Sequence, residues 1–218
     1  MPWFLLYEIL TNLDNFLQWP CYARANVNSN ANSNANSNVI SNTTSSDMLP
    51  MTTPPIILAI EDKIVSPQEA VQHCQKLKTQ GSLVFTNGVF DVLHKGHVTY
   101  LEKARRLGEH LIVALNTDAS AKRLGKGPER PLNALLDRAH VMAALQSVSL
   151  VTWFDEDTPL EIIQSLEPDV LVKGGDYDMD ALAEAQWVRS HGGLATTIPF
   201  VSGYSTTRLV KLIQSTRS

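Results

Sequence analysis

Ser82-Leu83-Val84-Phe85-Thr86-Asn87-Gly88-Val89-Phe90-Asp91-Val92-Leu93-His94-Lys95-Gly96-His97 decides the fold. Its first five residues form an apolar run that reads as a buried strand. Asn87 and Gly88 then break the run, and Gly88 lets a backbone approach a ligand closely. His94 and His97 follow, three positions apart, where a helical pattern opens over 98–107. Strand, polar turn and helix start together make the first half of a β–α–β unit.

The same alternation continues toward the C-terminus. Apolar runs at 111–115, 150–154, 170–172 and 195–199 read as further strands, and 135–145, 159–166, 181–190 and 206–214 as helices. Upstream, Ser66-Pro67-Gln68-Glu69 has the residues of a capping box with proline at the first helical position. This order predicts an α/β domain: a Rossmann-like parallel sheet with helices on both faces and right-handed crossovers. Polar loops follow the strands at Asn87-Gly88-Val89-Phe90-Asp91, Asn116-Thr117-Asp118, Lys173-Gly174-Gly175-Asp176-Tyr177 and Ser202-Gly203-Tyr204-Ser205-Thr206-Thr207. Ligands of open α/β sheets sit at the carboxyl ends of strands, so these loops are expected to converge on one crevice.

The domain is expected over 61–218, with 1–60 as an extension. In the extension, Glu8, Thr11, Asn12, Asn15 and Gln18 recur at helical spacing and leave Leu5, Leu6, Ile9, Leu10, Leu13, Phe16 and Leu17 mostly on the other side. That pattern predicts an amphipathic helix. Glu8 and Asp14 interrupt the apolar run, so no stable membrane span is expected, and no Lys or Arg before Arg24 supplies the basic region of a signal peptide. An Asn/Ser-rich tract over 26–46 follows, too polar to offset its chain entropy, and reads as a disordered linker. Met48 and Met51 lie just beyond it, so a start at either residue stays open. The net charge of -4 argues against broad electrostatic binding of nucleic acid. Cys21 and Cys74 lack metal-ligand spacing and read as free thiols of a reducing, cytoplasmic protein.

A helix start presents free N–H groups and partial positive charge, which suits phosphate. Two imidazoles three apart lie on roughly one face there, and Gly96 removes a side chain that would block a nucleotide. Taken alone, such a pair is as readily a capping or core feature. A metal site would need a third ligand, and none has obvious spacing, so no metal-binding residue is assigned.

Asn87-Gly88-Val89-Phe90-Asp91-Val92-Leu93-His94-Lys95-Gly96-His97 resembles the (T/N)GxFDxxHxGH signature of the cytidylyltransferase-like nucleotidyltransferases. The resemblance runs on through Asn116-Thr117-Asp118, Asp137-Arg138, the Lys173–Tyr177 segment and Ser205-Thr206-Thr207. Within that superfamily, Thr86–Asp91, Asp155-Glu156-Asp157-Thr158-Pro159 and Leu171–Tyr177 are similar to the heptose 1-phosphate adenylyltransferases of ADP-heptose synthesis. The resemblance implies transfer from ATP to D-glycero-β-D-manno-heptose 1-phosphate, with Mg²⁺ accompanying the nucleotide. It also implies a separate heptose kinase in the same pathway, feeding lipopolysaccharide core synthesis, and a homo-oligomer. His94 and His97 take the role of α-phosphoryl donors, and Asn87, Gly88, Val89, Phe90 and Gly96 line the phosphates. Lys122, Arg123 and Lys126 form a basic cluster in the loop after Asp118, where Lys126, between Gly125 and Gly127, is the candidate phosphate lysine. Arg138 matches an arginine facing the triphosphate. Ser205, Thr206 and Thr207 open the last helix toward it. Lys173, Gly174 and Asp176 are candidates for ribose, base or sugar. The arginine that precedes Ser-Thr-Thr in some cytidylyltransferases has no counterpart, since Phe200 and Val201 stand there. Asp91 is either a participant in Mg²⁺ binding or a loop anchor. Two rival readings stay open: a cytidylyltransferase of glycerol 3-phosphate or a related alcohol phosphate, and an inactive binding or scaffold protein.

Overall fold

The computed structural model describes residues 59–216 apart from 126 and 128. The expected amphipathic helix, the Asn/Ser tract, Cys21 and Lys126 lie outside these residues.

Five strands form one parallel sheet: β1 (Leu83–Gly88), β2 (His110–Asn116), β3 (Leu150–Phe154), β4 (Val170–Gly174) and β5 (Leu194–Ile198), in the order β3-β2-β1-β4-β5. The helices are α1 (Pro67–Lys78), α2 (Lys95–Arg105), α3 (Asp118–Arg123), α4 (Leu135–Ala143), α5 (Leu160–Leu166), α6 (Ala183–Ser190) and α7 (Thr206–Ser215). The expected α/β architecture stands.

Side chains alternate across a strand, so a sheet covered on both faces needs apolar residues at every position. Strand β1 meets this demand directly. Leu83 and Phe85 pack with α1, α5 and α6 on one face, while Val84 packs with α2 and α4 on the other. Two apolar layers therefore sandwich the sheet. Cys74 of α1 lies in the first layer, where burial pushes its thiol up to about 12 and leaves it un-ionised at neutral pH.

The helix starts follow their local chemistry. Ser66 caps α1 in a full capping box with Glu69, whose carboxylate accepts from the Ser66 N–H at 2.9 Å. Helix α3 corrects the expectation of a loop carrying Lys122 and Arg123. Thr117 caps it, its hydroxyl accepting the Ser120 N–H at 3.1 Å. Six residues hold too few turns for an apolar stripe to register in the sequence. A short 3₁₀ turn at Glu61–Lys63 was also missed. It serves to bring Lys63 Nζ within 3.0 Å of the Ala143 and Val148 carbonyls, closing the end of α4. No helix among the described residues is long and apolar enough to cross a membrane.

The sheet ladder is discontinuous at its centre. β1 pairs with β2 as far as Gly88↔Leu115, but its pairing with β4 runs only over Val84↔Val170 and Phe85↔Leu171. Beyond Phe85 the two strands part, and the buried Tyr100 of α2 enters the gap. Its hydroxyl donates to the Val172 carbonyl at 3.1 Å and lies 2.6 Å from Thr86 Oγ1. A phenol has one hydrogen, so the Thr86 hydroxyl is the donor in the second bond. Burial raises the Tyr100 pKa and keeps that hydrogen in place. Replacing Tyr100 with Phe strands Thr86 and the Val172 carbonyl in an apolar layer. The expected cost is about 1–3 kcal/mol, read as a lower urea midpoint with an unchanged m-value.

Candidate active site

The parting of β1 and β4 opens a cleft of about 680 Å³ at the carboxyl ends of the strands. It brings together twelve of the residues singled out in the sequence: Asn87, Gly88, Val89, Phe90, His94, Gly96, His97, Lys173, Gly174, Ser205, Thr206 and Thr207. This is the topological switch point of the sheet, where neighbouring crossovers leave in opposite directions.

His94 is the N-cap of α2, and its Nδ1 accepts the His97 backbone N–H at 3.4 Å. An imidazole that accepts at Nδ1 carries its proton on Nε2, so Nε2–H is the donor left over. Burial holds the His94 pKa below the ordinary imidazole value, which favours this neutral form. The His97 ring stacks on that of His94, with centroids 3.8 Å apart and planes at 17°. The Phe90 ring meets His97 edge-on at 5.2 Å. Phe90 holds φ at +46°, a costly conformation for a bulky residue, and its ring packs across Gly88. Gly96 sits in tight space: a Cβ there would lie 3.0 Å from the His94 ring and 3.1 Å from the Tyr204 Cβ, so these side chains would have to shift by a few tenths of an ångström. The glycine thus lets His94 and Tyr204 lie close to the first turn of α2.

Two buried charges hold the loops beneath the cleft. Asp91 accepts from the Leu132 and Asn133 N–H groups at 2.8 and 2.9 Å and pairs with Arg130. Burial alone would raise its pKa, but these donors outweigh it and hold the carboxyl below the usual range. Of the two roles open to Asp91, the structure fills that of loop anchor. Arg138 does not face the cleft. Its guanidinium is fully buried and donates to the carbonyls of Asn133 (3.1 Å), Val89 (2.7 Å) and Asn116 (2.9 Å) and to Asp118 Oδ1 (2.7 Å). The loops after β1 and β2 are thus tied to α4 from below.

Asp176 is exposed and lies outside the cleft lining. Arg123 is turned to the β3–α5 loop, where it pairs with Asp155 and Asp157. Glu184 is the residue that sequence reasoning missed. It sits in the first turn of α6, 4% exposed, with its Oε1 2.9 Å from Lys173 Nζ. An acid in a helix first turn is common, and only the fold carries α6 to the mouth of β4. Tyr177 and Tyr204 line the cleft from loops expected there, and Tyr100 and Phe200 join them without having been assigned to it. Gly175 holds φ at +109°, which favours glycine, and the exposed Phe200 ring lies over it. Among the described residues lining the cleft, the two cations, Arg130 and Lys173, each have a carboxylate partner. No group of three His, Cys, Asp or Glu side chains converges as a metal site among the described residues.

Residues 85–211 match the family model described as cytidylyltransferase-like. The chain is 55% identical over 154 residues to a D-beta-D-heptose 1-phosphate adenylyltransferase of Bordetella bronchiseptica, covering 71% of this chain and 95% of that protein. It is 50% identical over 149 residues to a bifunctional protein HldE of Marinomonas sp., covering 68% of this chain and 31% of that one. A second bifunctional protein HldE, from Magnetococcus marinus, is 52% identical over 155 residues, covering 71% and 32%. The chain thus spans nearly the whole of the Bordetella protein and about a third of the two bifunctional ones.

The charges beneath the cleft have two measurable consequences. Arg138→Met leaves three carbonyls without their donor and should cost about 3 kcal/mol or more in urea unfolding. Arg138→Lys should recover little of it, since an ammonium cannot reproduce the guanidinium fork. The depressed pKa of Asp91 gives the folded state an advantage that is complete above the unfolded carboxylate pKa of about 4 and is lost as pH falls through the folded value. The stability gap between wild type and Asp91→Asn should therefore be widest near neutral pH and narrow below about pH 4, measured by unfolding at each pH.

Proposed function

The chain belongs to the cytidylyltransferase-like nucleotidyltransferases, and on that premise we propose that it joins D-glycero-β-D-manno-heptose 1-phosphate to ATP, giving ADP-heptose and pyrophosphate. The observation that carries the reading is the cleft at the β1–β4 parting. There a helix N-terminus, two stacked imidazoles and the hydroxyl-bearing start of α7 line one space. The relatives supply the substrate class, since the Bordetella protein is named for heptose 1-phosphate adenylyl transfer.

The nucleophile is an oxygen of the sugar phosphate, already ionised at neutral pH, so no general base is needed. That oxygen attacks the α-phosphorus of ATP as the bond to the β-phosphate breaks and pyrophosphate leaves. Catalysis then rests on alignment and on stabilising charge at the phosphoryl oxygens. His94 would donate from Nε2–H, and His97, held against it, would donate beside it. The first N–H groups of α2 add partial positive charge in the same direction. Ser205 caps α7, its Oγ accepting the Arg208 N–H at 3.1 Å, and the Thr206 hydroxyl lies 3.3 Å from the Val92 carbonyl of the histidine loop. The Thr207 hydroxyl and the α7 N-terminus are therefore the proposed partners of the outer phosphates. Lys126 keeps its proposed phosphate role from the resemblance alone. Arg138 is reassigned to positioning, because its donors are engaged beneath the loops.

Mg²⁺ belongs to the proposal as a companion of ATP. Asp91 is a poor ligand for it, engaged as it is with Arg130, Leu132 and Asn133, so no step is routed through a protein-held metal. The proposal also includes a separate heptose kinase supplying the sugar 1-phosphate, a homo-oligomer, a cytoplasmic site of action and a division of the chain into 1–60 and 61–218. The fusion of a longer partner sequence in the bifunctional relatives supports the pathway context.

Purified protein assayed for pyrophosphate release should prefer ATP over CTP and heptose 1-phosphate over glycerol 3-phosphate. Preference for CTP would overturn the adenylyl assignment in favour of a cytidylyltransferase. His97→Ala should lower turnover by about 10²–10³-fold while the far-UV spectrum and melting profile stay those of the wild type. Unchanged turnover would remove the histidine from the chemistry.

A further inference from the structure

Lys173 and Glu184 form a buried pair whose side chains are 10% and 6% exposed. Burial lowers the Lys173 pKa, and Glu184 acts against that shift. A second bond from the same ammonium runs across the β1–β4 gap to Asn87 Oδ1, at 2.8 Å. It spans the strands one residue beyond the Tyr100 bridge, where the sheet ladder has already ended.

This bond constrains the Asn87 amide. Lysine has only donors, so Asn87 must present its oxygen to Lys173 and its NH₂ group on the other side. Asn87 lines the cleft immediately before Gly88, at the base of the phosphate-facing turn. A free asparagine amide can turn either end to a ligand, and with the oxygen forward it would repel phosphate. Glu184 in turn holds the ammonium in place from the first turn of α6. A side chain this enclosed, with two donors already assigned, has little left to offer a nucleotide itself.

We propose that Lys173 and Glu184 are positioning residues that act on the nucleotide through Asn87, by fixing its amide with the NH₂ turned toward the phosphates. The inference rests on ATP as the occupant of the cleft and replaces a direct ribose, base or sugar contact from Lys173 with an indirect one.

The test is a double-mutant cycle on the full chain, Asn87→Ala against Lys173→Met. Calorimetry with the non-reacting analogue α,β-methylene-ATP reads nucleotide binding, and steady-state kinetics read KM and kcat. Each single variant should weaken analogue binding and raise KM for ATP about tenfold, with kcat changed far less. The double variant should be no worse than Asn87→Ala, because Lys173→Met acts only through the amide that Asn87→Ala removes. Lys173→Met leaves Glu184 buried and unpaired, so Lys173→Met/Glu184→Gln is the control for folding. It should regain melting temperature over Lys173→Met and keep the binding defect. Additive losses of about a hundredfold would overturn the inference, since Lys173 would then touch the nucleotide itself. Recovery of binding together with melting temperature would overturn it too, making the pair structural only. A wild-type chain that failed to bind the analogue would overturn the ATP reading, and this inference with it. Additive variants of a wild type that binds overturn the inference alone.

Discussion

The Arg138 guanidinium is the interaction on which the cleft's geometry depends. It reaches the carbonyls of Val89, Asn116 and Asn133 and the carboxylate of Asp118 from one buried position. Backbone carbonyls at strand ends have lost their ladder partners, and in a water-poor interior an unpaired carbonyl is expensive. A planar cation with five donors satisfies several of them at once and fixes their spacing. The loop that carries Phe90, Asp91 and the histidines therefore inherits its place from the floor beneath it. Asp91 repeats the device with opposite sign, gathering the N–H groups of Leu132 and Asn133 and the side chain of Arg130.

Among the described residues, these supports leave a cleft lined more by fixed dipoles than by unpaired cations. The described lysine and arginine of its lining are matched by Glu184 and Asp91. The N-terminus of α2, capped by a neutral-leaning imidazole, and that of α7, capped by a hydroxyl, remain as oriented donors. Such donors do not reorganise when charge develops, which is the condition for stabilising a phosphoryl-transfer transition state. The parting of β1 and β4 serves the same end. Where the ladder stops, Tyr100 and Lys173 bridge the strands through side chains, so the crevice is open to a ligand without leaving Val172 or Thr86 unpaired.

The strands and most helices were legible because their signals are local. Five apolar runs fit a sheet buried on both faces, and Ser66, Pro67 and Glu69 marked the start of α1. The histidine segment was legible as a helix start for the same reason. Helix α3 was not, because six residues cannot display a period, and Glu184 was not, because an acid in a first turn has an ordinary local explanation. Arg138 was singled out by its place in a motif, and only the fold shows its guanidinium turned onto the Val89, Asn116 and Asn133 carbonyls. A sequence position says nothing about whether a guanidinium points up into a cleft or down onto carbonyls.

The sequence by itself determined the α/β class, the strand and helix order and the loops that gather at the strand ends. Periodicity, capping and turn chemistry depend only on near neighbours, so one chain suffices to read them. Tertiary structure decided which strands separate, which cations are neutralised and which amide end faces the ligand. Those outcomes join residues such as Asn87 and Lys173, 86 positions apart, and are set by burial that makes every donor require an acceptor.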